Sequence, residues 1–170
     1  MAEETTKSIK GAGTSFWRLK AGTDEATLTY ADYLADTKWD RLANVKEITP
    51  GEITVEDEDD TYLDDAEAAW TKTTPGQKSA GDTTVVLAWK PGEALQQGLI
   101  TDVDNDTVTI YRTKFPNGTV DAFRGYINSL GKAVTVKDKI TRTVKFKQVG
   151  KPITAEQLLI DEAEAAAAGE

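Results

Sequence analysis

Cysteine and histidine are both absent from the 170 residues. Without cysteine there is no disulfide framework and no thiolate metal site, and the redox compartment is left open. Without histidine the chain lacks the commonest general base and the commonest transition-metal ligand. Enzyme readings therefore start poor, and the sequence predicts a protein with no catalytic residues, cofactor or metal. The N-terminal stretch MAEETTKSIKGAGTSFW has neither the basic start nor the apolar block of an export signal. No apolar run approaches the roughly 18 residues of a membrane span. The expectation is a protein kept in the cytosol or packed into a particle, away from membranes.

Positive charge is also scarce, with 20 Lys and Arg against 29 Asp and Glu and a formal charge of -9. Affinity for nucleic acid comes mainly from Lys and Arg neutralising phosphates, so this balance argues against gripping DNA. It leaves DNA as something to be kept off a surface. The length suits one domain with a working core.

What is present is an acidic run. Eight of the twelve residues from Glu56 to Glu67 are acidic and none is basic, yet Tyr62, Leu63 and Trp70 lie in or beside it. A solvated, disordered segment is the plain reading of such a run. Apolar and aromatic residues in a segment too charged to fold alone instead suit an element that orders on binding, with the aromatics as anchors. Asp59, Asp60, Tyr62, Leu63, Asp64, Asp65 and Trp70 are therefore the expected contacts with a neighbouring subunit. With the turn formers of TTPGQKSAGD, residues 57 to 82 read as a loop far longer than the usual four to six or so residues.

Elsewhere the chain reads as antiparallel β. Residues 1–15 read as an arm and SFWRLK as the first strand; around TYADYLADTKWDRLANVKEIT the signal is mixed, Tyr30, Tyr33 and Leu34 suiting a short helical turn as well as a loop, and the stretch reads as irregular. Strands are expected over Val45–Thr49 and Glu52–Glu56, split by Pro50-Gly51, and over Thr83–Lys90. A short helix follows, with Ala94, Leu95 and Leu99 at helical spacing. Asn117-Gly118 predicts a two-residue type I′ hairpin that sets Lys114 opposite Asp121, Ile110 opposite Gly125 and Val108 opposite Ile127. In AVTVKDKITRTVKFKQV, Val134, Val136, Ile140, Val144 and Phe146 share one parity and the lysines the other, as for a strand face on a core. Thr154 and Gln157 form a capping-box pattern before an Ala-rich tail that either forms a helix or frays. The pattern predicts a mainly β fold, an antiparallel β-sandwich or partly closed barrel with one flanking α-helix. Its body is residues 16–152, with the long acidic loop at 55–82 and a tail at 153–170.

Three motifs fall to plainer readings. Asp102, Asp104 and Asp106 occupy the first, third and fifth positions of a calcium loop, but Thr107 stands where the turn glycine belongs and Thr113 where the bidentate Glu should be. Asn117-Gly118-Thr119 matches a glycosylation sequon that the hairpin already explains. Carboxylates are plentiful enough for a glycosidase pair, but clustered acids on a Gly-flanked loop are usually solvated.

Several long blocks carry a resemblance: KGAGTSFW, WDRLANVKEITPGEIT, DDTYLDDAEAAWT running into GQKSAGDTTVVLAWKPGE, and FPNGTVDAFRGYINSLGKAVT with ITRTVK. In order and spacing, from about Lys10 to Lys151, they resemble the major tail tube proteins of long, non-contractile-tailed, lambda-like phages. The resemblance implies a β-sandwich with one flanking helix, in subunits that form hexameric rings stacking into a hollow virion tail tube. It implies a loop, here residues 55–82, that orders on assembly against adjacent subunits. A tape measure protein inside the tube, a tail-tip initiator, a tail terminator and DNA passing through without specific binding are the implied partners. Assembly would take place in the host cytoplasm. The lambda type continues into an immunoglobulin-like decoration domain, whereas this chain ends in a short Ala- and Glu-rich tail, so no outer decoration is expected.

A tube that neutralised phosphates over many stacked rings would retain DNA, because contacts add. Acids at Glu47, Glu52, Glu56 and Asp121 are the expected lumen residues. Two rival readings stay open: a monomeric acidic β-sandwich binding module with Trp70 or Trp89 in a solvent-facing groove, and a tube subunit of a phage-related secretion system.

Overall fold

The computed structural model describes residues 5–169; residues 1–4 of the expected arm and the last residue of the tail lie outside them. Among the described residues nine strands and three α-helices follow in the order β1 Ser15–Leu19, α1 Tyr30–Leu34, β2 Trp39–Leu42, β3 Val45–Thr49, β4 Ile53–Asp59, β5 Thr73–Ala80, β6 Thr83–Ala88, α2 Ala94–Asp104, β7 Thr109–Lys114, β8 Val120–Ala133, β9 Thr141–Gln148 and α3 Ala155–Ala168, with a 3-10 turn at Glu25–Thr27. Seven strands form one antiparallel sheet in the order β2-β1-β7-β8-β9-β6-β3, and β4 and β5 pair as a separate two-stranded unit. The fold is mainly β, as the patterning predicts.

The large sheet curls on itself without closing. In the strand order β1 and β9 are three positions apart, roughly 14 Å in a flat sheet. The rings of Phe16 on β1 and Phe146 on β9 nevertheless have centroids only 5.1 Å apart. The concave face thus becomes the core, where Phe16, Tyr111, Phe123 and Phe146 stack and tilt against one another beside Val85, Leu87 and Val144. β2 and β3 remain as edges.

Helix α2 covers this concavity with a face that keeps Leu99 and, half-buried, Leu95 of the predicted apolar set but leaves Ala94 exposed. Its buried residues are Gln96, Leu99 and Asp102. Gln96 accepts from the Lys90 N–H (2.9 Å) and donates to the Ala88 carbonyl (2.8 Å), tying the helix to the end of β6. Asp102 takes both arms of the Arg18 guanidinium, at 2.6 and 2.7 Å. A carboxylate that read as part of a failed calcium loop is a helix anchor, tolerated inside because a bidentate cation meets it.

The convex face carries a second cluster. Leu19, Trp39, Ile110 and Ala122 are buried under Leu28, Tyr33 and Ile153. Between Trp17 and Trp39 lies the fully buried Arg112, its guanidinium carbon 4.6 and 4.8 Å from the two ring centroids. It donates to the carbonyls of Tyr33 and Ala35 and to Asp36, pinning the connection between α1 and β2 to the sheet. Two short elements, α1 and β2, therefore form where the sequence reads as irregular. Past β9 the chain bridges Ala122 through Ile153, and α3 starts from the Thr154 cap, which accepts from the Gln157 N–H.

The β7–β8 hairpin differs from the expected register by one residue. Thr113 faces Asp121, Lys114 faces Val120, Ile110 faces Arg124 and Thr109 faces Gly125. A two-residue turn would need a ladder bond from residue 116, but proline has no N–H. The Phe115 N–H donates to Thr119 instead (2.9 Å), leaving Pro116, Asn117 and Gly118 as a three-residue turn. Only Gly118 adopts positive φ, +84°. A one-residue shift exchanges the faces of every side chain, and it is this shift that places Tyr111 and Phe123 together inside.

Candidate assembly surfaces

The acidic stretch is a hairpin rather than an unstructured loop. β4 pairs with β5 from Ile53 opposite Ala80 to Asp59 opposite Thr73, with a register shift between Val55 and Asp57. Pro75 and Gly76, which read as turn formers, sit at that irregularity, the place where a strand tolerates them. Among the described residues, every side chain of β4 is exposed. The hairpin is held by backbone pairing and buries almost nothing.

Its root is anchored. The Gly81 N–H donates to the Glu52 carbonyl (2.7 Å), and the Gly51 N–H to Thr83 Oγ1 (3.2 Å), which also accepts from Gln148 Nε2 (3.0 Å). Gly51 is required here, because a Cβ on it would stand 2.0 Å from the Gly81 carbonyl oxygen. Asp82 accepts from Asn128 Nδ2 (3.0 Å), and Lys147 Nζ stands 3.3 Å away. The Asn128 hydrogen bond and the lysine hold its carboxyl below the ordinary range.

At the tip, residues 60–72 close through the Asp60 N–H on the Lys72 carbonyl (2.8 Å) and a Lys72–Asp65 ion pair (3.0 Å). Asp59 accepts from the Thr61 N–H (2.9 Å), and Thr61 lowers its pKa. The apolar residues project: Leu63 is fully exposed, Trp70 is 76% exposed and Tyr62 is 62% exposed. The tip thus brings Asp59, Asp60, Tyr62, Leu63, Asp64, Asp65 and Trp70 into one solvated element. Trp89, by contrast, is half-buried under Lys132, whose Nζ lies 4.3 Å from the ring.

The four acids proposed for a lumen separate into two kinds. Glu47, Glu52 and Glu56 are exposed, on edge strand β3, at the hairpin root and on β4. Asp121 is half-buried on β8 and accepts from the Ala155 N–H (2.7 Å), serving the first turn of α3. Burial pushes its carboxyl up and that hydrogen bond only partly offsets it.

A second projecting element escapes the periodicity argument. Residues 134–140 are the turn joining β8 to β9, with Val134 69% exposed and Val136 fully exposed, rather than strand residues on a core. The signal was in the string KDK at 137–139, since a core strand rarely carries three consecutive charges. Beside edge strand β3, a groove of about 600 Å³ runs between Ile48 and Pro50 on one side and Ile9 to Thr14 on the other.

Among the described residues no group of His, Cys, Asp and Glu has metal-holding geometry. The surfaces offer unpaired strand edges and a projecting charged hairpin, which is equipment for association.

A family profile for the lambda phage tail tube protein matches residues 23–155. No curated protein matches the chain in sequence. Among solved structures, the fold is similar to a chain in the tail of an empty gene transfer agent particle with C6 symmetry. The TM-score is 0.64 at 12% identity, covering 86% of this chain and 98% of that one. It is also similar to the SPP1 tail tube, with a TM-score of 0.58 at 11% identity over 89% and 86% of the two chains. A chain of the sheath-tube complex of an extracellular contractile injection system gives 0.59 at 10% identity over 89% and 94%. With the profile covering most of its length, the chain belongs to the lambda phage tail tube protein family.

Proposed function

We propose that the chain is the repeating subunit of a phage tail tube, whose copies close into hexameric rings and stack into the hollow conduit for DNA. The observation that carries this is the β4–β5 hairpin, an ordered element whose strand β4 is exposed throughout and whose tip exposes Tyr62, Leu63 and Trp70. Apolar anchors on a solvated arm are useful only against another surface. Edge strands β2 and β3 supply backbone groups for a heterologous contact that closes into a ring. A tape measure protein within the tube, a tail-tip initiator and a terminator are the partners this role requires. Repulsion between acidic hairpins restrains polymerisation until the initiator supplies a template.

Glu47, Glu52 and Glu56 are the lumen acids in this reading. Asp121 takes that part only if α3 moves away from it on assembly. A negative wall repels DNA over about 8 Å at physiological salt, enough to keep it sliding.

Negative-stain electron microscopy of concentrated protein, alone and with tail-tip complexes, tests the proposal. Rings or tubes are expected, and their loss on replacing Tyr62, Leu63 and Trp70 by Ala in a subunit that still folds. A folded monomer under every condition, tip complexes included, would favour the monomeric binding module instead.

A further inference from the structure

The molecule carries two projecting hairpin ends of opposite chemistry. The β4–β5 end presents the eight acids between Glu56 and Glu67 with Leu63 and Trp70 exposed. The β8–β9 end, residues 132–145, has five basic residues against the single acid Asp138, with Val134 and Val136 exposed. Asp138 is occupied locally, its backbone N–H donating to Thr135 Oγ1 (3.2 Å) and its carboxylate accepting from the same hydroxyl (3.3 Å). Among the described residues Lys137, Lys139 and Arg142 make no ion pair, and in the acidic tip only Asp65 does. Each end has uncompensated charge of one sign around an apolar centre, and each is what the other lacks.

We propose that the basic β8–β9 turn of one copy is the docking site for the acidic β4–β5 tip of another, Leu63 and Trp70 packing on Val134 and Val136 inside a ring of Asp–Lys pairs. The proposal rests on the tube-subunit reading and names the surface that receives the hairpin. Opposite charges around an apolar centre set register and select the partner, since two acidic tips or two basic turns repel. The contact is heterologous, each copy giving a tip and receiving one, so it propagates. A rival acceptor for the same tip exists in the cleft lined by Lys78, Lys147 and Lys151 at the hairpin's own root. That cleft offers charge but only Ile53 and Ala80 beside Pro152 as apolar wall, with no projecting apolar pair.

The chain has no cysteine, so single introduced cysteines report contacts without background. Asp60→Cys and Val136→Cys subunits, one enlarged by a tag, would be mixed, assembled on tail-tip complexes and oxidised, with Lys151→Cys in place of Val136→Cys as the comparison. The expected product is the tip–turn mixed disulfide, about tenfold over both the tip–tip and tip–Lys151 products. It should be suppressed at about 1 M salt, where screening acts within about 3 Å. Lys137→Glu with Lys139→Glu should abolish it, and Asp60→Lys with Asp64→Lys on the tip-bearing partner, probed through Leu63→Cys, should restore it. Dominant tip–Lys151 product, or wild-type yields from the K137E/K139E subunit, would overturn the docking site while leaving the tube intact. Absence of tubes from wild-type protein under all conditions would overturn the tube reading and the docking site with it.

Discussion

Arg112 shows how one side chain holds two elements that local sequence does not specify. Its guanidinium is fully buried between two indoles and donates to two carbonyls and Asp36. Arg112→Ala is expected to lower stability by about 3 kcal/mol, about 1 kcal/mol from each of its two cation–π contacts and the rest from stranded carbonyls. Thermal unfolding should drop by roughly 6 to 12 °C. Arg112→Lys should recover less than half, because an ammonium cannot fork between the carbonyls and Asp36. A loss below about 1 kcal/mol in urea titration would refute the staple. Asp82 makes a pH prediction. Its folded pKa lies below the ordinary 3.8, so the folded state binds the proton less well than the unfolded chain does. Its contribution is present above that ordinary value and is lost as pH falls through the lower folded value. The difference in melting temperature between wild type and Asp82→Asn should therefore hold from pH 7 to about 5 and shrink below about 4. A difference that grew with acid would have the wrong sign.

The β4–β5 hairpin makes a sharper claim as an element than any of its residues. Because β4 is exposed along its length and pairs only with β5, the core sheet should not need it. Replacing residues 54–79 by a short Gly-Ser link should leave a folded monomer with a melting temperature within a few degrees of wild type, and should abolish tubes. Trp70 should report the same event, since at 76% exposure it emits as a solvated indole while Trp39 is buried. On assembly the emission should shift to the blue, and Trp70→Phe should remove most of that shift. Tubes forming with Trp70 still quenchable by iodide would show that the tip stays in solvent. The root should be less tolerant than the tip: Gly51→Ala drives a Cβ to within 2.0 Å of the Gly81 carbonyl oxygen and must displace the hairpin. The element was hard to read because its evidence is non-local. Thr73–Ala80 holds Pro75 and Gly76, so local propensity reads it as turns, yet pairing on one side with an irregularity suffices to make it a strand. Residues 134–140 are the converse case: alternating valines mimic a strand although no sheet neighbour lies beside them.

In the proposed tube, a formal charge of -9 would favour a lumen that conducts DNA without holding it. Phage carrying Glu47→Lys and Glu52→Lys should assemble but eject DNA more slowly, with the delay easing as salt rises, because each added phosphate contact steepens the salt dependence. Unchanged ejection at low salt would mean that these carboxylates face away from DNA. The similar solved structures show that at 10 to 12% identity the overall fold persists. What such a fold requires is a pattern of inward residues and edges rather than particular side chains.

The sequence alone determined the mainly β class, the single α2 helix in the middle of the chain, the absence of thiol and imidazole chemistry and the odd mixture of acid and aromatics near Trp70. These follow from composition and periodicity, which act between near neighbours. Only the tertiary structure decided that Arg18 and Asp102 meet under α2, 84 positions apart. It also decided that Pro116 shifts the β7–β8 register by one, and that Val134 and Val136 face water. Each of those depends on which strands lie side by side, and that is set by the burial of the whole sheet around its aromatic core rather than by any local preference.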